Sequence, residues 1–181
     1  GTFIGIKEGE NNMKFDFIIG NPPYQEEAPG ESTSDKPIYH LFVQQAKKLN
    51  PRFLSMIIPA RWYAGGKGLD EFRDEMLHDN RISRLVDYFD STDCFPGVDL
   101  SGGVCYFLWE RDKRDECLVS TFRNGKQTTI KRSLLENGND SFIRFNEAIS
   151  ISCSINSPTA LKVSGVVLEY LRPPVSDIMA V

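Results

Sequence analysis

Phe15-Asp16-Phe17-Ile18-Ile19-Gly20-Asn21-Pro22-Pro23-Tyr24 is the stretch whose reading decides the fold. An apolar run of aromatic and β-branched residues stops at Gly20; an amide, two prolines and an aromatic ring follow. The run predicts a buried strand over Lys14 to Gly20. The prolines fix φ and remove two backbone donors, so neither a helix nor a strand ladder continues through them. The product is a stiff turn at the carboxyl end of a strand, where open α/β sheets bind ligands.

Outward from this turn, Gln25 to Pro37 is rich in Glu, Ser, Thr, Gly and Pro and reads as a long surface loop, either a lid or an insertion. Leu41, Phe42, Ala46 and Leu49 recur at helical spacing and predict a helix over Ile38 to Leu49, ended by Asn50-Pro51. Phe53 to Ile58 is a second continuous apolar strand, closed by Pro59. Continuous apolar strands separated by an amphipathic helix indicate a parallel sheet covered on both faces. A turn at Gly65, Gly66 and Gly68 leads into a helix over Asp70 to Asp79, with Leu69, Phe72, Met76 and Leu77 as its buried stripe. Strands over Ile82 to Phe89 and Gly102 to Glu110 come next. Only about a dozen residues without helical pattern separate them, too few for a parallel crossover, so they are expected to pair antiparallel at an edge.

Beyond Arg111, Cys117 to Arg123 and Gln127 to Arg132 flank Asn124-Gly125, a type I′ hairpin signal. Phe142 to Ser152 is expected as a helix around Asn146, Glu147, Ala148 and Ile149, and Thr2 to Ile6 as a short strand. The tail from Asn156 to Val181 has no clear period. The expected fold is α/β: a partial doubly wound sheet with parallel strands and an antiparallel edge pair, then a small C-terminal β/α extension. The boundary is placed at 112, dividing 1–112 from 113–181.

Composition narrows the function classes. The chain is 40% hydrophobic and 25% charged, with a net charge of −4, so it carries no global basic signature of nucleic-acid binding. A local patch or a second domain could still supply phosphate contacts. No apolar run reaches the roughly 20 residues that span a bilayer. No basic-then-apolar leader opens the sequence, so a cytoplasmic location is expected. Cys94, Cys105, Cys117 and Cys153 contain no C-x-x-C pair, which fits neither a zinc site nor a disulfide framework; buried reduced thiols are expected and no metal site. His40 and His78 read as satisfied surface residues, and Asp70, Glu71, Asp74 and Glu75 as a solvated helix face balanced by Lys67 and Arg73.

Asn21-Pro22-Pro23-Tyr24 resembles the signature of amino-group methyltransferases, in particular the DNA adenine-N6 methyltransferases of type II restriction–modification systems, the Eco57I-like group. Four further stretches carry the resemblance: Phe15 to Gly20, Lys36-Pro37-Ile38-Tyr39-His40-Leu41-Phe42, Ile57-Ile58-Pro59-Ala60-Arg61-Trp62, and Phe95-Pro96-Gly97-Val98 leading into Ser101-Gly102-Gly103-Val104. It covers Lys14 to Glu110, and more loosely extends to Ile151. It implies a Rossmann-like methyltransferase sheet, S-adenosylmethionine as cofactor and double-stranded DNA with a flipped adenine as partner, with 113–181 as the start of a target-recognition region.

The chemistry explains the residue types. An exocyclic adenine amine is a weak nucleophile because its lone pair is delocalised into the ring. The Asn21 side-chain oxygen and the Pro22 carbonyl can each accept one amine hydrogen, drawing the nitrogen towards tetrahedral geometry and aiming its lone pair at the methyl donor. Asn21, Pro22 and Tyr24 are thus the implied catalytic residues, Tyr24 stacking on a base extruded from the duplex. Pro23, Phe95, Arg61 and Trp62 are the implied substrate-binding residues, Phe95 offering the other stacking face. Bland readings stay open: a structural Pro-Pro turn, a core Phe95, and a surface Arg61 lying over Trp62.

The resemblance also implies parts that are not evident. In the family a Gly-rich turn after a first strand holds the methionine part of the cofactor, and it lies several dozen residues before Asn-Pro-Pro-Tyr. Gly1, Gly5 and Gly9 neither follow a strand nor open a helix, and Gly65, Gly66 and Gly68 come after the motif. The chain therefore reads as an N-terminally truncated catalytic half, expected to be inactive alone, with one bare edge on its first strand. Self-association through that edge, repacking of Thr2 to Ile6 onto it, or an N-terminal methyltransferase half as partner is expected. Two other functions remain open: a protein-glutamine N5-methyltransferase, against which the long loop and the segment after Arg111 argue, and a noncatalytic DNA-binding or specificity fragment.

Overall fold

A computed structural model describes residues 14–26, 36–136 and 139–149. Six strands form one mixed sheet: β1 (Phe17–Gly20), β2 (Phe53–Pro59), β3 (Ile82–Tyr88), β4 (Val104–Glu110), β5 (Cys117–Arg123) and β6 (Lys126–Arg132). Their spatial order is β1-β2-β4-β3-β5-β6. Two helices, α1 (Tyr39–Lys48) and α2 (Asp70–His78), fill the connections on either side of β2. β1 pairs parallel with β2 and β3 with β5, whereas β4 runs antiparallel to both β2 and β3. The carboxyl ends of β1, β2, β3 and β5 consequently share one rim, and the Asn-Pro-Pro-Tyr turn leaves the sheet there.

The α/β class is as the sequence indicates, and so is the antiparallel pairing of β3 with β4. The position of that pair is corrected: β4 lies inside the sheet, between β2 and β3. Its composition explains this. Val104, Cys105, Phe107 and Trp109 are each at most 1% exposed, so the strand gains most by having neighbours along both edges. β5 and β6 extend the same sheet past β3, joined by Asn124 and Gly125 at φ of 50° and 70°, the geometry of a type I′ turn.

The helix expected over Phe142 to Ser152 does not form over 142–148: 142–145 are irregular and Asn146–Ala148 is a 3-10 turn, while Ile149 is helical and 150–152 lie outside the described residues. The buried Asn146 side chain explains the departure. Its Nδ2 donates to the Val119 and Thr128 carbonyls at 3.1 and 3.3 Å, and its Oδ1 accepts from Arg132 Nε at 3.3 Å. A side chain committed to strand carbonyls holds the local backbone against the sheet rather than in a helix. The expected strand at Thr2 to Ile6, Cys153, most of the Gln25 to Pro37 loop and the tail from Asn156 lie outside the described residues.

The core occupies one face of the sheet. Leu54, Met56 and Ile58 of β2, Leu85 of β3, Phe107 of β4 and Val119 of β5 pack with Tyr39, Val43 and Ala46 of α1 and Phe72, Met76 and Leu77 of α2. The opposite face was expected to be covered too. Among the described residues it is not: Phe17 is 65%, Ile19 80% and Tyr106 39% exposed. Phe17 stacks on Phe53 of the neighbouring strand at 5.0 Å, which extends the apolar strip across both strands.

Candidate active site

The chain turns at the end of β1 with Asn21 exposed, Pro22 buried, Pro23 exposed and Tyr24 half-buried. The turn is fastened to the start of α1, where Ile38 N donates to the Tyr24 carbonyl at 3.2 Å. Beside it Gln25 bridges Pro37, and Glu26 N donates to the Lys36 carbonyl at 3.0 Å, so the intervening loop leaves and returns at one point. Among the described residues neither the Asn21 side chain nor the Pro22 carbonyl makes a hydrogen bond. Two acceptors thus stand unspent on a backbone whose direction two proline rings fix.

Tyr24 packs its ring against the core, and its hydroxyl is buried without a partner among the described residues. Burial pushes that hydroxyl up to about 12, and the Cys94 and Cys105 thiols add to the effect. Cys94 directly precedes Phe95, so the loop between β3 and β4 lies within electrostatic reach of Tyr24. That loop is tightly tied. Ser91 Oγ donates to the Val98 carbonyl and accepts from Leu100 N, both at 2.7 Å, and Phe95 N donates to the Ser91 carbonyl at 2.7 Å. Phe95 itself is half-buried.

The base of the loop is clamped from a distance. Arg144 forms a two-pronged ion pair with the fully buried Asp87, Nε to Oδ2 at 2.8 Å and Nη2 to Oδ1 at 2.7 Å. Its Nη1 donates to the Gly102 carbonyl at 2.9 Å, and its guanidinium lies 4.0 Å from the Phe89 ring centroid. Gly103, at φ +79°, closes the loop so tightly that a Cβ there would collide with the Tyr88 and Phe89 carbonyls. Nothing in the sequence marked Arg144 or Asp87, because their link spans three strands and an irregular segment.

Arg61 and Trp62 part company. Both sit in the 3-10 turn Ala60–Ala64 after β2, but Arg61 faces solvent while Trp62 is fully buried. Trp62 Nε1 donates to Cys105 Sγ at 3.4 Å, and its ring meets Phe72 edge-on at 5.8 Å. Around the same thiol lie two more tyrosines that sequence reading did not single out. The Tyr39 and Tyr63 hydroxyls are both buried, and burial raises each well above the ordinary phenol range. The Asp87 carboxylate and the Cys105 thiol push Tyr63 further in the same direction. Their signal was the aromatic enrichment around Pro37-Ile38-Tyr39 and Trp62-Tyr63.

Burial also raises the Cys105 and Cys117 thiols to about 12, so neither is poised as a nucleophile. Both are free and buried, as expected, and Cys94 is free and half-buried. His40 departs from expectation: it is half-buried, with a buried Nδ1 that has no partner among the described residues, and burial lowers its pKa. His78 is a surface residue whose Nδ1 lies 2.9 Å from the Asp74 carbonyl oxygen.

The Gly65, Gly66 and Gly68 turn is occupied by the chain itself. Gly66 N donates to Asp70 Oδ1 at 3.0 Å, Arg73 Nη1 donates to the Ala64 carbonyl at 3.1 Å, and a Cβ at Gly65 would meet both side chains. It does not cradle a ligand. The described residues contain no other Gly-rich turn that follows a strand and opens a helix, so they do not fit the methionine end of S-adenosylmethionine.

Residues 2–95 match the family model of the Eco57I restriction-modification methylase. A curated relative from Mycoplasma pneumoniae (strain ATCC 29342 / M129 / Subtype 1), described as an uncharacterized adenine-specific methylase, is 39% identical over 126 residues. That match takes in 67% of this chain and 30% of the relative, so the chain spans under a third of that protein's length. Among solved structures, one of a type I restriction–modification system matches at 17% identity and a TM-score of 0.46, over 78% of this chain and 29% of that one. The type I methyltransferase subunit from Streptococcus thermophilus matches at 12% identity and a TM-score of 0.41, over 77% of this chain and 31% of that one. By the match of its sequence to the family, the chain belongs to the Eco57I restriction-modification methylases.

Proposed function

We propose that this stretch supplies the target-adenine pocket of an adenine-N6 DNA methyltransferase. The observation that carries the reading is the pair of unspent acceptors, the Asn21 side chain and the Pro22 carbonyl, on a proline-fixed turn at the carboxyl rim. In this reading a flipped adenine lies with its amine against these two oxygens, which take its hydrogens and orient its lone pair. Tyr24, held by the packing of its ring against the core, covers one face of the base; Phe95, on the tied loop, covers the other. Pro23 and Arg61, both exposed, contact the extruded nucleotide, and Trp62 acts from below by fixing the 3-10 turn that carries Arg61.

The cofactor is S-adenosylmethionine, which supplies the methyl group when bound; the residues holding it belong to the longer protein or to a partner half. The isolated chain then has little or no transfer activity. The partner is double-stranded DNA in the cytoplasm, and the segment beyond 112 leads towards target recognition. Among the described residues no helix is long and apolar enough to cross a membrane.

The test uses duplex DNA with 2-aminopurine at the target position, whose emission rises when the base leaves the stack. Binding by the chain is expected to raise emission, and Tyr24→Ala to abolish the rise. In the longer protein, Asn21→Ala is expected to lower kcat on the order of 10²–10³-fold, as for loss of one preorganised hydrogen-bonding group. Unchanged kcat in Asn21→Ala sinks the proposal.

A further inference from the structure

A second opening lies on the same rim, between the β5–β6 hairpin and the segment after β6. It is a cavity of about 410 Å³ lined by Phe89, Thr121, Arg123, Lys126, Phe145 and Glu147, among others. The Arg123 guanidinium lies 5.5 Å from the Phe89 centroid and 4.8 Å from that of Phe145, and the two rings are 5.1 Å apart. Stacking of this kind sets the plane of a guanidinium while leaving its N–H edge free. No hydrogen bond or ion pair engages the Arg123 or Lys126 side chain among the described residues. By contrast, Arg81, Arg111, Arg132, Arg144 and Lys131 all have acidic partners. Glu147 is the single carboxylate in the lining among the described residues, so the two cations leave the opening net positive.

We propose that this opening is a phosphate site, and that its phosphate belongs to a polynucleotide backbone. The Arg123 fork takes two phosphate oxygens side by side and Lys126 adds a point charge, while the Thr121 and Thr128 hydroxyls in the same wall bond each other at 2.7 Å and leave the anion to the two cations. Position favours a polymer over a free ion. The opening sits at the carboxyl end of β5, four strands from β1 in the sheet order. Four strand spacings place it about 19 Å from the Asn-Pro-Pro-Tyr turn. With a phosphate every ~3.4 Å per strand, one duplex engages both places some five or six nucleotides apart. The chain has a net charge of −4, so such a local, unneutralised pair is where an anion binds rather than the surface at large. The polymer assignment rests on the DNA reading above; the anion assignment does not.

The experiment is anisotropy of a fluorescein-labelled duplex bound by the 181-residue chain, repeated across salt concentrations. Arg123→Ala with Lys126→Ala is expected to weaken binding and to lower the slope of log affinity against log salt by ~1.8, for two phosphate contacts. Arg123→Lys, which keeps charge and fold but loses the fork, is expected to keep the slope, and Glu147→Gln to tighten binding. The adenine-dependent emission rise of 2-aminopurine DNA is expected to survive in these variants at saturating protein, which separates this site from the adenine pocket. An unchanged slope in the double variant overturns the proposal whatever happens at Asn21. Saturation of the Arg123 Nε resonance by inorganic phosphate, with no change on adding duplex, overturns the polymer assignment in favour of a small phosphorylated ligand.

Discussion

At the scale of single residues, the Tyr24 hydroxyl is the clearest handle on the site. It is buried and unpartnered among the described residues, so it costs stability without an internal hydrogen bond in return. Tyr24→Phe removes the hydroxyl and keeps the ring; chemical denaturation is expected to show a gain of about 1 kcal/mol, with adenine stacking intact. Tyr24→Ala removes the ring as well and is expected to cost about 3 kcal/mol by cavity formation, besides the stacking term of about 1–3 kcal/mol in DNA binding. A loss of stability in Tyr24→Phe would mean that the hydroxyl has a partner and that its burial is not a liability. The turn carrying Tyr24 was legible in the sequence because two prolines act on their own backbone and need no distant help. Trp62 was not. Which side of its 3-10 turn meets the core is decided by Cys105, which lies 43 residues away and accepts its indole N–H.

At the scale of elements, Asp79 ties three of them together. It follows α2, and its carboxylate accepts from Arg81 Nε at 2.6 Å and Trp109 Nε1 of β4 at 2.9 Å, while Lys47 Nζ of α1 lies 2.9 Å away. Burial alone would raise its pKa, but Arg81, Lys47 and Trp109 outweigh that and hold the carboxyl well below the usual aspartate range. A depressed folded-state pKa gives stability that is present above the ordinary aspartate value of about 4 and lost as pH falls through the folded value. Denaturation midpoints are therefore expected to drop in acid below that point. Asp79→Asn should flatten this acid limb and cost about 2 kcal/mol near neutrality, since the Lys47 side chain is only 8% exposed and keeps only Glu75, also 2.9 Å away, as a counter-charge. An acid limb of full size in Asp79→Asn would assign it to other carboxylates. The helices and strands themselves were readable from periodicity, since each buries a stripe or a run of its own. The place of β4 was not readable, because sheet order depends on which distant strands accept its two edges. Asn146 likewise overrode a helical pattern through bonds to β5 and β6, which no local window contains.

At the scale of the whole molecule, a sheet with one covered face and, among the described residues, one open face decides how the chain behaves in solution. Phe17 and Ile19 project from the end strand at 65% and 80% exposure, next to Phe53 and in the same face as Tyr106. A contiguous apolar strip beside a strand edge that is unpaired among the described residues favours association, gaining roughly 25 cal/mol for each Å² of apolar surface withdrawn from water and extending the hydrogen-bond ladder. Sedimentation of the 181-residue chain is expected to show concentration-dependent self-association. Ile19→Asp should abolish it, because a carboxylate buried between two sheets has no partner there. The same substitution should change monomer stability by less than about 0.5 kcal/mol, as for any exposed position. If the wild-type chain instead stays monomeric at high concentration and Ile19→Asp costs several times that amount, the face is covered from within the chain and association is not its outlet. The two measurements separate a surface awaiting a partner from one already occupied, and that difference also sets how a methyl-donor half would meet Asn21 at the end of the same strand.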